Sequence, residues 1–590
     1  MPETEPADAV DVDLITLEVI NWRLAEISRA MEHLLFHGGY SPILRESNDG
    51  SCCILDSEGN VVMASGMPLH VACYHRTALA VLQRFGHEMQ PGDSFLSNDP
   101  YTAGVFHVPD LSVISPVFYR GEMVALCASI AHKPDVGGTV PGSSGAGSRE
   151  VFHEGVAYPP VRYATQAGID PAIDEILRRN SRTPTEVAGD VRAQVGCARI
   201  GAVRLQELCD AYGPEVIKAS FKRFLAHSEA RLRRAISQWP DGTSEAEAFL
   251  DNDGADGETP VRVHVRIEKR GSDIALDFSG SDEQGAGPIN VRPQSTETAS
   301  FLGLLAVVDP TIPLNDGIRR VVRITNPEAK ITHARYPAPV NNYFIATHLI
   351  YTCVQSALGT FTPDRVIAPD GLGGGATTIG YSAPKLGTSV LQYELQVTSL
   401  GATEATDGVF SALPMTHLTM NTPIEVLETE YPIRIWAWTP RCDSGGAGRH
   451  RGGVGFVKEY ELLEDADFTV RMGHFSCGAW GVDGGRAPLK ARCTIIRSTG
   501  EQEHLTPISS LRLSAGDRIR VETPGGGGVG DPFQRQAELV LDDVRNGYIS
   551  LEAARRDYGV CIEQAADLEL NYEQTLALRA SGKAQEENAE

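Results

Sequence analysis

Asp110-Leu-Ser-Val-Ile-Ser-Pro-Val-Phe-Tyr119, then Arg120-Gly121, then Met123-Val-Ala-Leu-Cys-Ala-Ser-Ile-Ala-His132: this stretch decides how the chain is read. Two apolar runs flank a dipeptide whose glycine supplies a turn, which predicts an antiparallel hairpin. Pairing about a turn centred near residue 121 requires opposed positions to total about 242, and Asp110 and His132 meet that total. Their β-carbons are then expected ~5 Å apart. His107, in His107-Val-Pro-Asp110, lies just upstream of the strand, and Pro109 fixes its own backbone angle between the two. Two imidazoles and a carboxylate can therefore converge by local geometry. They form a ligand set for Zn, Mn or Fe(II). A hydrogen-bonded Asp–His pair at a strand end is the plainer alternative, and spacing alone leaves both open.

Outward from this hairpin, Ile20, Leu24, Ile27, Met31 and Leu34 recur at helical steps, predicting a helix from Leu14 to about His37. Thr16 is its expected N-cap and Gly38-Gly39 its stop. Ser51–Asp56 and Val61–Ala64 read as another hairpin, 70–87 as a helix, and Asp93–Ser97 as a strand entering Asn98-Asp99-Pro100. A Gly/Ser-rich loop at Gly137–Ser148 precedes helices expected over 170–182, 184–212 and 214–238. Pro240–Gly257 is polar and acidic and reads as a boundary. Strands follow at Val261–Ile267 and Asp273–Phe278, with a helix near 341–358. Residues 431–530 carry many short strands between Gly turns, and Leu539–Tyr558 looks like a helical pair before a polar tail.

The expected class is α+β and multidomain, with β-rich mixed sheets, an N-terminal helix and a C-terminal helical segment. Four units are expected: 13–240 carrying the metal site, 258–430 as a central α+β unit, 431–535 mostly β, and 536–575 helical. At about 150 residues per domain, 590 residues fit that number. Hydrophobic residues at 42% give ample material for a core. A formal net charge of −25 argues against nucleic acid or an acidic membrane surface as partner. No stretch approaches the ~20 apolar residues of a membrane span; Ala299–Val308 is the longest and falls short. The acidic start, Met1-Pro-Glu-Thr-Glu, is unlike a signal peptide, and eleven cysteines with no CxxC pair indicate neither a disulfide framework nor a zinc ribbon. A cytoplasmic protein is expected.

Other candidates have plain readings. Asp49 sits ahead of a strand and Asp99 in Asn-Asp-Pro, both ordinary turn positions. His70 and His75 are not on the same helix face and read as packing or supporting residues. The glycine tracts Gly371–Gly375, Ser444–Gly448 and Pro524–Pro532 lack the Lys-Ser/Thr of a phosphate loop and the strand-then-helix order of a dinucleotide fingerprint, so turns explain them better. No GxSxG nucleophile elbow is present.

Taken in order, several segments carry a resemblance. They are Ser51–Gly59, Ser97-Asn-Asp-Pro-Tyr, His107–Asp110, Ala131-His-Lys-Pro-Asp-Val-Gly-Gly138, Asp277-Phe-Ser-Gly-Ser, Asn421–Glu428, Asp443–Gly455, Pro524–Pro532 and Arg555–Val560. The chain resembles the hydantoinase B/oxoprolinase family over roughly 14–562. That family includes B subunits of ATP-dependent N-methylhydantoinases and caprolactamases, half of 5-oxoprolinase, and α subunits of acetone-type carboxylases. The resemblance implies a divalent metal, Zn favoured and Mn as the other candidate, at Asp49, His107, Asp110 and His132. It implies an A-type partner subunit that binds ATP and phosphorylates the substrate, in an A2B2-type heteromer. The expected activity is cyclic amide hydrolysis (hydantoin, oxoproline or lactam), with metal-bound hydroxide as nucleophile and Asp49 or Asp135 as proton carriers. Two Asp ligands cancel the ion's charge and weaken its effect on water, consistent with a substrate activated beforehand. Lys133-Pro134 stands where relatives often carry a further His or an aromatic. A carboxylase α subunit and a non-catalytic scaffold for the A subunit are the alternatives; the chain's length favours the hydrolase.

Overall fold

The computed structural model describes residues 12–586, apart from 256, 373–374, 384–387, 413–414, 416–418 and 565–566. The acidic lead-in, Gly373-Gly374 of one glycine tract and the end of the polar tail lie outside the described residues. Helix α1 (Leu14–His37) buries Ile20, Leu24, Ile27, Met31 and Leu35 along one face. Its cap is Asp13, not Thr16: the Asp13 carboxylate accepts from the Ile15 and Thr16 amides, both at 3.0 Å. A carboxylate there satisfies otherwise free amides and suits the helix dipole, so the acid one turn earlier wins.

A single-turn α2 (Pro42–Arg45) leads to the hairpin of β1 (Gly50–Asp56) and β2 (Val61–Gly66). Helix α3 (Val71–Phe85) and β3 (Ser94–Ser97) precede the deciding hairpin, β4 (Asp110–Tyr119) and β5 (Glu122–His132). Asp110 opposes His132 as predicted, and the register slips only between Val117 and Phe118. Arg120 and Gly121 both take positive φ, 50° and 88°, as a tight primed turn requires. With β6 (Val161–Thr165) and β7 (Gly168–Ile169) the strands form a sheet of order β2-β1-β5-β4-β3-β6-β7. Cys52 and Ile54 pack to one side, with α1 and residues from α5 (Pro184–Tyr212) and α6 (Pro214–Ile236), the latter two preceded by α4 (Pro171–Arg179). Cys53 and Leu55 pack to the other. The sheet is therefore buried on both faces, which explains apolar runs with little alternation.

The stretch read as a polar connection contains β8 (Gly242–Leu250), edge strand of a sheet ordered β11-β10-β9-β8 with β9 (Val261–Arg270) and β10 (Asp273–Asp277). Its inward residues are Ser244, Ala248 and Leu250, too few apolar side chains to show a strand pattern. Helix α7 (Pro293–Val308) contains the long apolar run, β11 (Val322–Thr325) closes the sheet, and α8 (Tyr343–Leu358) lies beside α7 in the core. No helix among the described residues is long and apolar enough to cross a membrane.

The last large unit is a pair of sheets. Strands β12 (Gly375–Ala383) and β13 (Thr388–Gln396) precede α9 (Ile424–Glu430), β14 (Ile433–Pro440), β15 (Phe456–Leu462), β16 (Ala466–Met472), β17 (Arg492–Ile496), β18 (Gln502–His504), β19 (Ile508–Leu513) and β20 (Arg518–Glu522). One sheet runs β13-β12-β16-β19 and the other β14-β15-β20-β17-β18, so strands before and after residue 431 share a sheet. Between them lie Phe468, Val470, Tyr460 and Ile519. Helices α10 (Ala537–Arg545), α11 (Leu551–Tyr558) and α12 (Tyr572–Glu586) end the described chain, the last turning much of the polar tail into helix.

Candidate metal centre

Strand pairing brings acidic and imidazole groups to one end of the seven-stranded sheet. Gly50 opposes Ala131 and Asp110 opposes His132, so Asp49, Asp110 and His132 stand at one level of three adjacent strands. The His132 amide donates to the Asp49 carbonyl at 3.1 Å. His107 folds back from the preceding turn. Its Nε2 lies 3.2 Å from Asp110 Oδ1 and 3.2 Å from His132 Nδ1, and that nitrogen is 3.4 Å from the same carboxylate oxygen. The ligand atoms of His107, Asp110 and His132 all lie within 4.8 Å of one another, and all three residues are buried. Asp49 lines the same cavity but stands outside that group of three.

The hydrogen bonding around the cluster leaves donor atoms open to an ion. His107 Nδ1 lies 3.0 Å from the Asn341 carbonyl and 2.7 Å from its side-chain oxygen. Both are acceptors, so Nδ1 carries a proton and Nε2 is the ring nitrogen turned toward Asp110 and His132, the one that would face a cation. Asn341 is held in turn: its amide donates to Glu154 Oε1 at 2.7 Å, and its side chain donates to the Ser143 carbonyl. Asp110 Oδ2 and His132 Nε2 are buried with no hydrogen-bond partner among the described residues. Leaving a buried polar atom unpaired costs about 1–3 kcal/mol. Two such atoms beside a ring nitrogen of fixed direction fit a cation, and two imidazoles with a carboxylate are a donor set that Zn or Mn takes.

Burial raises the Asp110 carboxyl, but the charge of His107 and hydrogen bonds with both histidines outweigh it and hold the group well below its usual range. Burial pushes His132 down to about 4. Asp49 goes the other way: burial, then the charge of Asp110, pushes it up to about 8 against the pull of Lys133. Lys133 is itself buried and driven down to about 8, with its ammonium donating to the Ala131 carbonyl at 3.2 Å.

The opposite wall comes from distant chain. Tyr343, at the start of α8, stands edge-on to His107 with ring centroids 4.8 Å apart. Tyr393 of β13 lies 4.6 Å from the His132 ring. Leu395 of β13, Ala376 of β12 and Arg471 of β16 form a cross-strand row on the same face, and all line the cavity. The free space inside the cavity is about 30 Å³, room for a water or an ion. Asn341, Tyr343, Tyr393 and Arg471 belong to no local motif, so no spacing in the chain marks them.

The remaining candidates fall elsewhere. Asp135 is buried with both oxygens engaged. Oδ1 accepts from the Gly137 and Arg182 amides at 3.0 and 2.9 Å, and Oδ2 from the Gly142 amide and Arg182 Nη1 at 3.0 Å each. It ties down the Gly/Ser-rich loop and is not among the cavity-lining residues. His70 bonds Ser51 Oγ at 2.8 Å through Nδ1, and burial pushes it down to about 4. His75 meets the Gly59 carbonyl at 3.0 Å, and Asp99 accepts from the Tyr101 amide at 2.8 Å as a turn residue should. The late glycine tracts clasp each other: the Gly446 amide donates to the Gly526 carbonyl and the Gly526 amide to Gly453, both at 2.9 Å. A Cβ on Gly452 would lie 1.9 Å from the Gly526 carbonyl, so these glycines permit close backbone packing.

Comparison with known proteins agrees with this picture. The family description hydantoinase B/oxoprolinase matches residues 13–532. The caprolactamase subunit beta of Pseudomonas jessenii is 30% identical, over 95% of this chain and 98% of its own. The crystal structure of the ATP-dependent caprolactamase from that organism superimposes with a TM-score of 0.88 at 28% identity, covering 96% of this chain and all (100%) of the other. A nucleotide-free acetone carboxylase structure reaches a TM-score of 0.87 at 19% identity, over 98% of this chain and 84% of that one, a likeness of fold alone.

Proposed function

Because this chain belongs to the hydantoinase B/oxoprolinase family, we propose that it is the metal-bearing catalytic subunit of an ATP-dependent cyclic-amide hydrolase. Its substrate is a small hydantoin, oxoproline or lactam ring, and its partner is an A-type subunit that uses ATP. The observation that carries the reading is the buried His107–Asp110–His132 cluster at a cavity, with Asp110 Oδ2 and His132 Nε2 unpaired. Asp49 completes the donor set from the adjacent strand end. A divalent ion there, Zn before Mn, would supply Lewis acidity toward oxygen and make water a better nucleophile.

The chain's own residues do the rest. Asn341 fixes the ring of His107 by accepting from Nδ1. Tyr343 and Tyr393 exclude water from two sides and flank the ring of the substrate. Asp49 stands level with His132 and lines the cavity, where it is placed to receive a proton from the attacking water. Asp135 anchors the loop that carries Ser143 and so supports Asn341. Phosphorylation of the amide oxygen by the partner makes the ring carbon electrophilic, which an unactivated amide is not.

The test is turnover by the complex of this chain with its A-type partner. Ring-opened amino acid should form with ATP, without label from bicarbonate, and His107→Ala or His132→Ala should lower it by more than about 10³-fold while the complex still assembles and hydrolyses ATP. Label retained from bicarbonate would instead indicate carboxylation, and unchanged turnover in both variants would leave only a scaffold. Elemental analysis should find about one divalent ion per chain, reduced in both variants.

A further inference from the structure

We infer, building on that reading, that Arg471 is the residue that grips the phosphoryl group of the activated substrate. Arg471 projects from β16 into the metal cavity, opposite Asp110 and the two histidines. It is 4% exposed, and its Nε and Nη2 have no hydrogen-bond partner among the described residues. Its Nη1 reaches Asn341 Oδ1 at 3.5 Å, an oxygen already accepting from His107, and its guanidinium stands 5.6 Å from the centre of the Tyr393 ring. Among the described residues the other two buried arginines are ion-paired in place: Arg535 with Asp407 and Asp543, and Arg451 with Asp543.

A guanidinium does not shed its proton in a protein, so burial cannot neutralise Arg471 as it can a lysine. An unpaired buried charge is costly, and Arg471 faces a space where an anion could pair with it.

The identity of the anion follows from the reaction. Whatever the ring, each activated substrate carries a phosphoryl group, whereas only some rings carry a carboxylate. Water adds to the carbon of the O-phosphorylated amide, and the C–N bond breaks with its electron pair and a proton going to nitrogen. The product is a ring-opened acyl phosphate, which a second water cleaves to carboxylate and inorganic phosphate. The phosphoryl group stays on the substrate through the first step and departs in the second. A planar fork of donors matches its oxygens, so one fixed cation can hold the reacting carbon in place through both.

The experiment compares wild type, Arg471→Met and the near-isosteric Arg471→Gln, which serves if the first does not fold. Inorganic phosphate should raise the Tm of the wild-type chain more than acetate does at matched ionic strength, with and without EDTA. In the variants the apparent phosphate affinity should fall about tenfold or more. In the complex, kcat/KM for ring opening should fall about 10²–10³-fold, mostly in kcat, with Arg471→Lys recovering part of it and ATP hydrolysis by the partner continuing. Equal phosphate shifts in wild type and variants, no shift in wild type, or loss of an acetate shift alone would overturn the assignment. Should Arg471→Met keep wild-type turnover while His107→Ala is dead, this inference fails and the hydrolase reading stands. Should His107→Ala remain active, it is the hydrolase reading that fails.

Discussion

Two buried cations in the same pair of sheets are treated in opposite ways. Lys458 on β15 is fully buried and ion-paired to Glu394 of β13, with its ammonium 3.7 Å from the centre of the Trp438 ring. The second oxygen of Glu394 accepts from the Tyr460 hydroxyl at 2.6 Å and from Gln392 at 3.0 Å. Arg471, on β16 of the other sheet, has the Tyr393 ring 5.6 Å away and Asn341 Oδ1 at 3.5 Å, and its Nε and Nη2 have no hydrogen-bond partner among the described residues. Strand alternation makes the contrast possible: Gln392, Glu394 and Gln396 point to one face of β13, and Tyr393 and Leu395 to the other, where the metal cavity lies. One face thus meets each charge with a partner, and the other leaves charge open for chemistry.

If that division is right, the two cations respond differently to removal. Lys458→Met strands a buried carboxylate and should cost about 3–5 kcal/mol of stability, read by denaturant unfolding of the chain, with Glu394→Gln in the same chain recovering part of it. Arg471→Met should leave the Tm unchanged or higher, since it removes an unpaired charge; a loss as large as that of Lys458→Met would erase the distinction. A smaller effect is expected at Asn341→Ala, which frees the ring of His107 without touching a donor atom. Metal affinity should weaken about 10–100-fold in competition with a chelator, with the fold intact by circular dichroism.

The smallest concerns a third way of burying a titratable group, as a neutral base. Burial pushes His348 on α8 down to about 3 from 6.5. Because the folded value lies below the unfolded one, the stability contributed is present above pH 6.5 and is lost as pH falls toward the folded value. His348→Gln should therefore flatten the decline of Tm between pH 6.5 and 4 by an amount equivalent to on the order of 1–3 kcal/mol. An identical decline in both proteins would show that the acid sensitivity lies elsewhere.

Legibility in the sequence followed the range of the contacts. The pairing of Asp110 with His132 was readable because one turn separates them. Helix α1 was readable from its periodic face, though its cap was not, since Asp13 and Thr16 are both capping types and only geometry chooses between them. Strand β8 was hidden because an edge strand of mostly outward polar residues lacks the signal that marks a strand. Asp49 resembled a turn residue until the β1–β5 register set it level with His132. Arg471, Tyr393 and Asn341 were out of reach of any local pattern, because the face they occupy exists only once sheets from distant parts of the chain meet.

That separation has a temporal side. The three donors of the cluster belong to the early part of the chain, and the aromatic and guanidinium wall that faces them belongs to the late part. On a ribosome, the hairpin emerges with its imidazoles long before Tyr393 and Arg471 have been translated. Convergence of the donors can thus precede their enclosure, and the direction of synthesis doubles as the assembly order of the cavity.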